Sequence, residues 1–271
     1  EYTMGIEWPE GDNVDIHNVP YNVIVDKGSE DGSPGTLNMD AERHAIGMLT
    51  IRESGTLNIS AETGKLTVND LVINENGTVV IKSPNNMGMT GSLITTGTVT
   101  NNGTNIAERY ISAGRYFFVS PPSLETNSKE FTDNYTGYFN PNFYIYDEKF
   151  TSGVDDLLAN YDNWKLYFSA AWEEFHDGQG GLGKILNQPG RGYAYYNNIN
   201  KMFEFEGDFF TGDVDVTITY TDNDNAGNTN GGFFDGWNLI ANPFASSLDW
   251  NHASWDKSKI DGAYYLSLIH I

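Results

Sequence analysis

The sequence predicts an all-β chain in two parts, a short parallel β-solenoid followed by a jelly-roll-like antiparallel β-sandwich. Three observations carry that expectation. A Gly-Thr phrase returns four times between residues 35 and 100. Beyond it come many short alternating segments, rich in aromatics and separated by Gly and Asn turns. The 29 glycines and the excess of Asn, Asp and Thr favour turns and strands over helices.

The phrases are Gly35-Thr36-Leu37-Asn38-Met39, Gly55-Thr56-Leu57-Asn58-Ile59, Gly77-Thr78-Val79-Val80-Ile81 and Gly97-Thr98-Val99-Thr100. They begin 20, 22 and 20 residues apart. Each alternates apolar and polar residues after a turn glycine, the period that sends side chains to opposite faces of a strand. A unit this short cannot close its own core and buries its apolar face only by stacking on its neighbours. About four coils are therefore expected, with Leu49, Ile51, Leu57, Ile59, Leu66, Val68, Ile73, Val79 and Ile81 inside. Companion strands fall at Met48–Arg52, Lys65–Asn69, Leu71–Ile73 and Ser92–Ile94. Asn58, Asn69, Asn74, Asn76 and Asn101 take outward or turn positions, where Asn tolerates left-handed backbone. An antiparallel sandwich with coincidental turn spacing is the competing arrangement.

Ahead of the repeats, residues 1–34 form an irregular lead-in with strands expected at Asn13–His17 and Tyr21–Val25. The solenoid with its lead-in spans 1–107. The sandwich spans 108–265, opening at Glu108-Arg109-Tyr110-Ile111. Its strands are expected at Tyr116–Val119, Phe143–Asp147, Trp164–Phe168, Gly190–Tyr196, Lys201–Gly207, Asp213–Tyr220 and Trp237–Ile240. One or two helical turns fit between Val154 and Tyr161. Residues 266–271 read as a non-native tail that cuts the natural chain short, and Glu1 suggests a start inside a longer protein.

Composition narrows the chemistry. The 271 residues carry 37 Asp and Glu against 15 Lys and Arg, a net charge of −22. That field repels phosphate backbones and anionic lipid heads, which argues against nucleic acid and membrane-surface partners. No apolar run is long enough to span a bilayer, so no membrane insertion is expected. Without cysteine, thiolate catalysis, disulfides and Cys-based zinc sites are all ruled out.

Trp172-Glu173-Glu174-Phe175-His176-Asp177 has the residue types for acid–base work on a glycoside. Adjacent glutamates point apart on a strand, and the cluster reads as a solvated loop ahead of a flexible glycine run, Gly178–Gly183. No Gly-x-Ser-x-Gly elbow and no phosphate-cradling loop occur. Asp222 and Asp224 could lend oxygens to a weak structural Ca²⁺, but Ala226 and Phe233 stand where an EF-hand needs ligands. A polar hairpin tip explains the same residues. Tyr135, Tyr138, Tyr144, Trp172, Tyr195, Trp237, Trp250 and Trp255 could stack on sugar rings, although a sandwich core explains most of them.

Several strings together resemble Bacteroidetes secreted and surface proteins exported by the type IX pathway. Those proteins carry runs such as "ESGATLTI", "GKLTV" and "NGTLTI" ahead of an "ERYI" link. Here the counterparts are Glu53–Ile59, Gly64–Val68, Asn76–Val79 and Glu108–Ile111. The following domain is matched at Tyr116–Pro121 (Tyr for the usual Trp), at Gly190–Tyr193 and at a Phe205–Val214 hairpin. It closes on "GWNLVGNPYPSAIDW", matched by Gly236, Trp237, Asn238, Asn242, Pro243, Asp249 and Trp250, with Ala241 and Phe244-Ala245 departing from it. The resemblance implies a non-enzymatic, adhesin-like structural module at the cell exterior or outer-membrane surface, without a cofactor. A carbohydrate-binding protein, or less readily a polysaccharide-cleaving one, is the alternative, with an extracellular glycan or surface protein as partner.

Overall fold

A computed structural model describes residues 21–26, 35–124, 126, 131, 143–146, 172–174, 188–220 and 236–260. Among these residues there is no α-helix, and no helix is long and apolar enough to cross a membrane. The strands are β1 (Val23–Val25), β2 (Thr36–Met39), β3 (Glu42–Ile51), β4 (Thr56–Ile59), β5 (Lys65–Ile73), β6 (Thr78–Ile81) and β7 (Ser92–Thr95). They continue with β8 (Val99–Asn101), β9 (Thr104–Ile111), β10 (Arg115–Val119), β11 (Phe143–Tyr146), β12 (Trp172–Glu174), β13 (Tyr193–Asn197) and β14 (Lys201–Glu206). The expected strands at 13–17 and 164–168 and the helical turns near 154–161 lie outside the described residues.

Two parallel sheets build a solenoid of about three turns. One is β2-β4-β6-β9, and the other is β1-β3-β5 followed by β7 and β8 end to end along β5. Thr36, Thr56, Thr78 and Thr104 stand in register, as do Leu37, Leu57 and Val79. The alternation then puts every second side chain indoors. All nine residues expected inside are at most 1% exposed. Burial of each is worth roughly 1.5–3 kcal/mol before the entropy of ordering is set against it.

The fourth Gly-Thr phrase is not where the spacing put it. Gly97-Thr98-Val99 belongs to the opposite sheet, where Val99 registers with Leu71. The fourth rung is Gly103-Thr104, with Thr104 beside Thr78. The corner bonds repeat accordingly: Thr56, Thr78 and Thr104 donate their N–H groups to the carbonyls of Gly35, Gly55 and Gly77 at 2.7, 2.9 and 2.9 Å. The third turn carries a longer loop after β6, and its second-sheet strand breaks at residues 96–98. That insertion makes one turn look like two in the sequence and reduces the expected four coils to about three.

Asp70 holds the break. Its Oδ1 accepts from the Thr98 N–H and the Thr98 hydroxyl, each at 2.8 Å, and Asn69 Nδ2 donates to its Oδ2. The Thr98 amide first, then its hydroxyl, keeps this carboxyl below the usual value of 3.8. A depressed carboxylate stabilises the fold above its unfolded-state pKa, and that contribution disappears as pH falls through the lower folded value. Thermal melts between neutral and strongly acid pH should therefore show a weaker acid dependence in Asp70→Asn than in the parent chain.

At the far end of the first sheet, β14 pairs antiparallel with β9 and closes the parallel stack. Phe205 registers with Ala107, continuing the inward column Met39–Ile59–Ile81–Ala107. Phe131, Tyr195, Phe203 and Phe205 meet with ring centroids 5.2–6.1 Å apart and carry the core out of the solenoid. A third, antiparallel sheet runs β10-β13-β11-β12. Trp172–Glu174 is thus a strand, the outermost described one of this sheet, rather than the loop expected, with Glu173 registering with Ile145 and Glu174 with Tyr144. Asp213–Tyr220 alternates but forms no ladder with another described strand, because periodicity assigns faces without supplying a neighbouring strand. The expected hairpin after Phe205 is replaced by two separate bridges, Ser123 to Phe209 and Phe210 to Phe244.

Candidate functional site

The segment Gly236–Lys257 gathers most of the residues that sequence reading singled out. Gly236 has φ +72°, and a Cβ there would lie 2.7 Å from the Tyr220 ring, so glycine is required twice over. Two residues on, Asn238 clamps an extended neighbour. Its Oδ1 accepts from Thr219 N–H at 3.0 Å, and its Nδ2 donates to the carbonyls of Thr219 and Gly236 at 2.8 Å each. The backbone around Ile240 then lies against the start of β13, with Gly192 N–H on Leu239 O and Ala241 N–H on Gly190 O.

Asn242 makes a local turn, its Oδ1 accepting from Phe244 N–H at 2.9 Å while its Nδ2 reaches Ser246 O. Pro243 is buried. The turn aims Ala245 at the solenoid, where Leu93 N–H of β7 donates to its carbonyl at 3.0 Å. The motif therefore ties the last turn of the solenoid to the third sheet. Asp249 caps the next bend by accepting from Asn251 N–H at 2.9 Å, and its carbonyl takes Trp255 Nε1–H at 2.8 Å. Trp250 and Trp255 pack with centroids 4.9 Å apart, and Lys257 Nζ donates to the Trp250 carbonyl. Within the motif stretch, Trp237, Ile240 and Leu248 are large apolar side chains left at the surface, 37%, 38% and 37% exposed.

A family model described as a domain of unknown function, DUF8693, matches residues 4–267. The chain belongs to the DUF8693 family. No curated protein and no solved structure matches it. In this DUF8693 chain the asparagine and aspartate side chains of the motif are occupied by backbone groups, the arrangement of a clasp. Expected effect: Asn238→Ala removes the side-chain partner of Thr219 N–H and one bond from each of two carbonyls, costing about 1–3 kcal/mol in a denaturant titration.

The link Glu108–Ile111 is the second half of β9. Glu108 is buried, accepting from Lys82 Nζ at 2.6 Å and from Ser83 N–H at 3.1 Å. Tyr110 N–H donates to Ser83 Oγ at 3.0 Å. Burial lowers the Arg109 guanidinium to about 10, so it stays charged at neutral pH. Sequence reading missed this carboxylate–lysine pair, because the partners lie 26 residues apart and meet only once the turns are stacked.

The remaining candidates divide. Asp222 and Asp224 lie outside the described residues, as do Tyr135 and Tyr138. Among the described residues no three His, Asp or Glu groups converge as a metal site. Tyr195 is core, 4% exposed. Tyr144 instead joins Tyr116 and Tyr196 across β11, β10 and β13, with ring centroids 6.0 and 5.1 Å from Tyr116, which is 44% exposed.

Proposed function

We infer that the chain is a non-enzymatic, adhesin-like structural module of a larger exported protein, working at the cell exterior or outer-membrane surface. The observation that carries this reading is the occupation of the motif's polar side chains by backbone on a stack of in-register turns. Such a stack resists bending, because each rung is held by its neighbours along both sheets. In this reading β10-β13-β11-β12 is one layer of a jelly-roll-like sandwich. The net charge of −22 favours solubility and disfavours nucleic acid and anionic lipid as partners.

Carbohydrate binding is the second reading, and the half-exposed Tyr116, Tyr144 and Tyr196 cluster favours it. Aromatic faces of this kind stack on sugar rings, and an extracellular glycan would be the ligand. A glycan-array screen of the whole chain, with and without Ca²⁺, separates the two. No selective binding and no polysaccharide turnover is expected. Selective binding lost in Tyr116→Ala would install the second reading, and turnover abolished by Glu173→Gln or Glu174→Gln would end the non-enzymatic one. Surface-protease treatment of the intact source cells tests location: an antibody epitope that survives the protease would contradict export.

A further inference from the structure

The inward column Leu37–Leu57–Val79 ends on Asn105 at the fourth rung. This amide is 1% exposed, and neither its Oδ1 nor its Nδ2 finds a hydrogen-bond partner among the described residues. An unanswered buried amide is costly, on the order of 1–3 kcal/mol, and aliphatic residues fill the same place in the three turns before it. The neighbouring backbone is polar. Gly207 N–H donates to the Asn105 carbonyl at 3.1 Å, so the next position in the column carries no side chain. Beside Gly207, the Glu206 carbonyl accepts from Ser123 Oγ, which lies 2.6 Å from Thr126 Oγ1. Both hydroxyl residues are fully buried.

We propose that Asn105 holds an internal water at the seam where β14 closes the solenoid. The amide presents one acceptor and one donor atom. An anion would leave Oδ1 unanswered and a cation would leave Nδ2 unanswered, whereas water offers both a proton and a lone pair. Internal waters of this kind bond about three polar groups and exchange slowly. The Ser123–Thr126 hydroxyl pair bonds the other edge of β14 through the Glu206 carbonyl and is satisfied without that water.

Water ¹⁷O magnetic relaxation dispersion on the whole chain counts slowly exchanging waters. Wild type should show such a water, and Asn105→Val should show about one fewer. An equal count in the two proteins, or no slow water in wild type, overturns the proposal. Should Asn105→Val fail to fold, high-resolution crystallography of the unchanged chain decides. Density for a water within hydrogen-bond reach of Oδ1 or Nδ2 supports it, and a dry amide, or one bonded to a protein group, overturns it.

Discussion

A chain carrying Leu57→Asp is expected to lose its solenoid outright, with collapse of the strand signal in far-ultraviolet circular dichroism. Leu57 is fully buried and stands between Leu37 and Val79 in a column that spans three turns. Truncation to alanine would already cost about 2–5 kcal/mol, and an unpaired carboxylate in the same place costs several more. Domains commonly hold only about 5–15 kcal/mol in total. Asn58 is the control. It faces outward on the same strand, where its Nδ2 donates to Asn38 Oδ1 at 2.9 Å, and its loss should cost about 1 kcal/mol. A folded Leu57→Asp protein with an unchanged spectrum would mean that the turns share no interior.

Gly103→Ala is the second large effect. A Cβ at this corner would sit 2.3 Å from the Gly77 carbonyl oxygen and 2.6 Å from that of Asn74, both backbone of the turn beneath. No rotamer change relieves a clash with backbone, so the fourth rung must lift, and the Thr104 N–H bond to Gly77 O lengthens. The cost should reach about 3 kcal/mol. For a chain of this size that lowers Tm by roughly 6–12 °C in calorimetry. Gly114→Ala serves as comparison. Nothing lies within 4 Å of a Cβ there, and only its φ of +88° opposes the change, for about 1 kcal/mol. Equal melting losses in the two variants would show that the corner is not close-packed.

Much of the solenoid is legible in the chain itself. Alternation around Leu57, Leu66 and Val79 names the inward residues, since the strand period depends on local geometry alone. Asn76 occupies the left-handed corner expected of it, with φ +62°, and Ser54 fills the matching corner one turn earlier with the same φ. The fourth rung was within reach too. Asn102-Gly103-Thr104 repeats Asn76-Gly77-Thr78, and only the assumption of a constant period hid it.

The region beyond the solenoid is less legible, because ladders there join segments far apart in sequence. Phe143 registers with Tyr195, while the equally alternating Asp213–Tyr220 finds no ladder among the described residues. The motif at Gly236–Trp250 was visible as a string, but not as a strap whose Ala245 carbonyl meets the Leu93 N–H of β7.

By itself the sequence determined that the chain is all-β, which side chains of the repeats face inward, and that its surface is strongly acidic. Those properties reside in single residues and their immediate neighbours. Tertiary structure alone decided how many turns stack, that β14 closes the stack, and that buried Glu108 finds Lys82 while buried Asn105 finds no partner among the described residues. Each depends on which distant strand comes to lie alongside, and that choice is made by the summed packing of the whole chain.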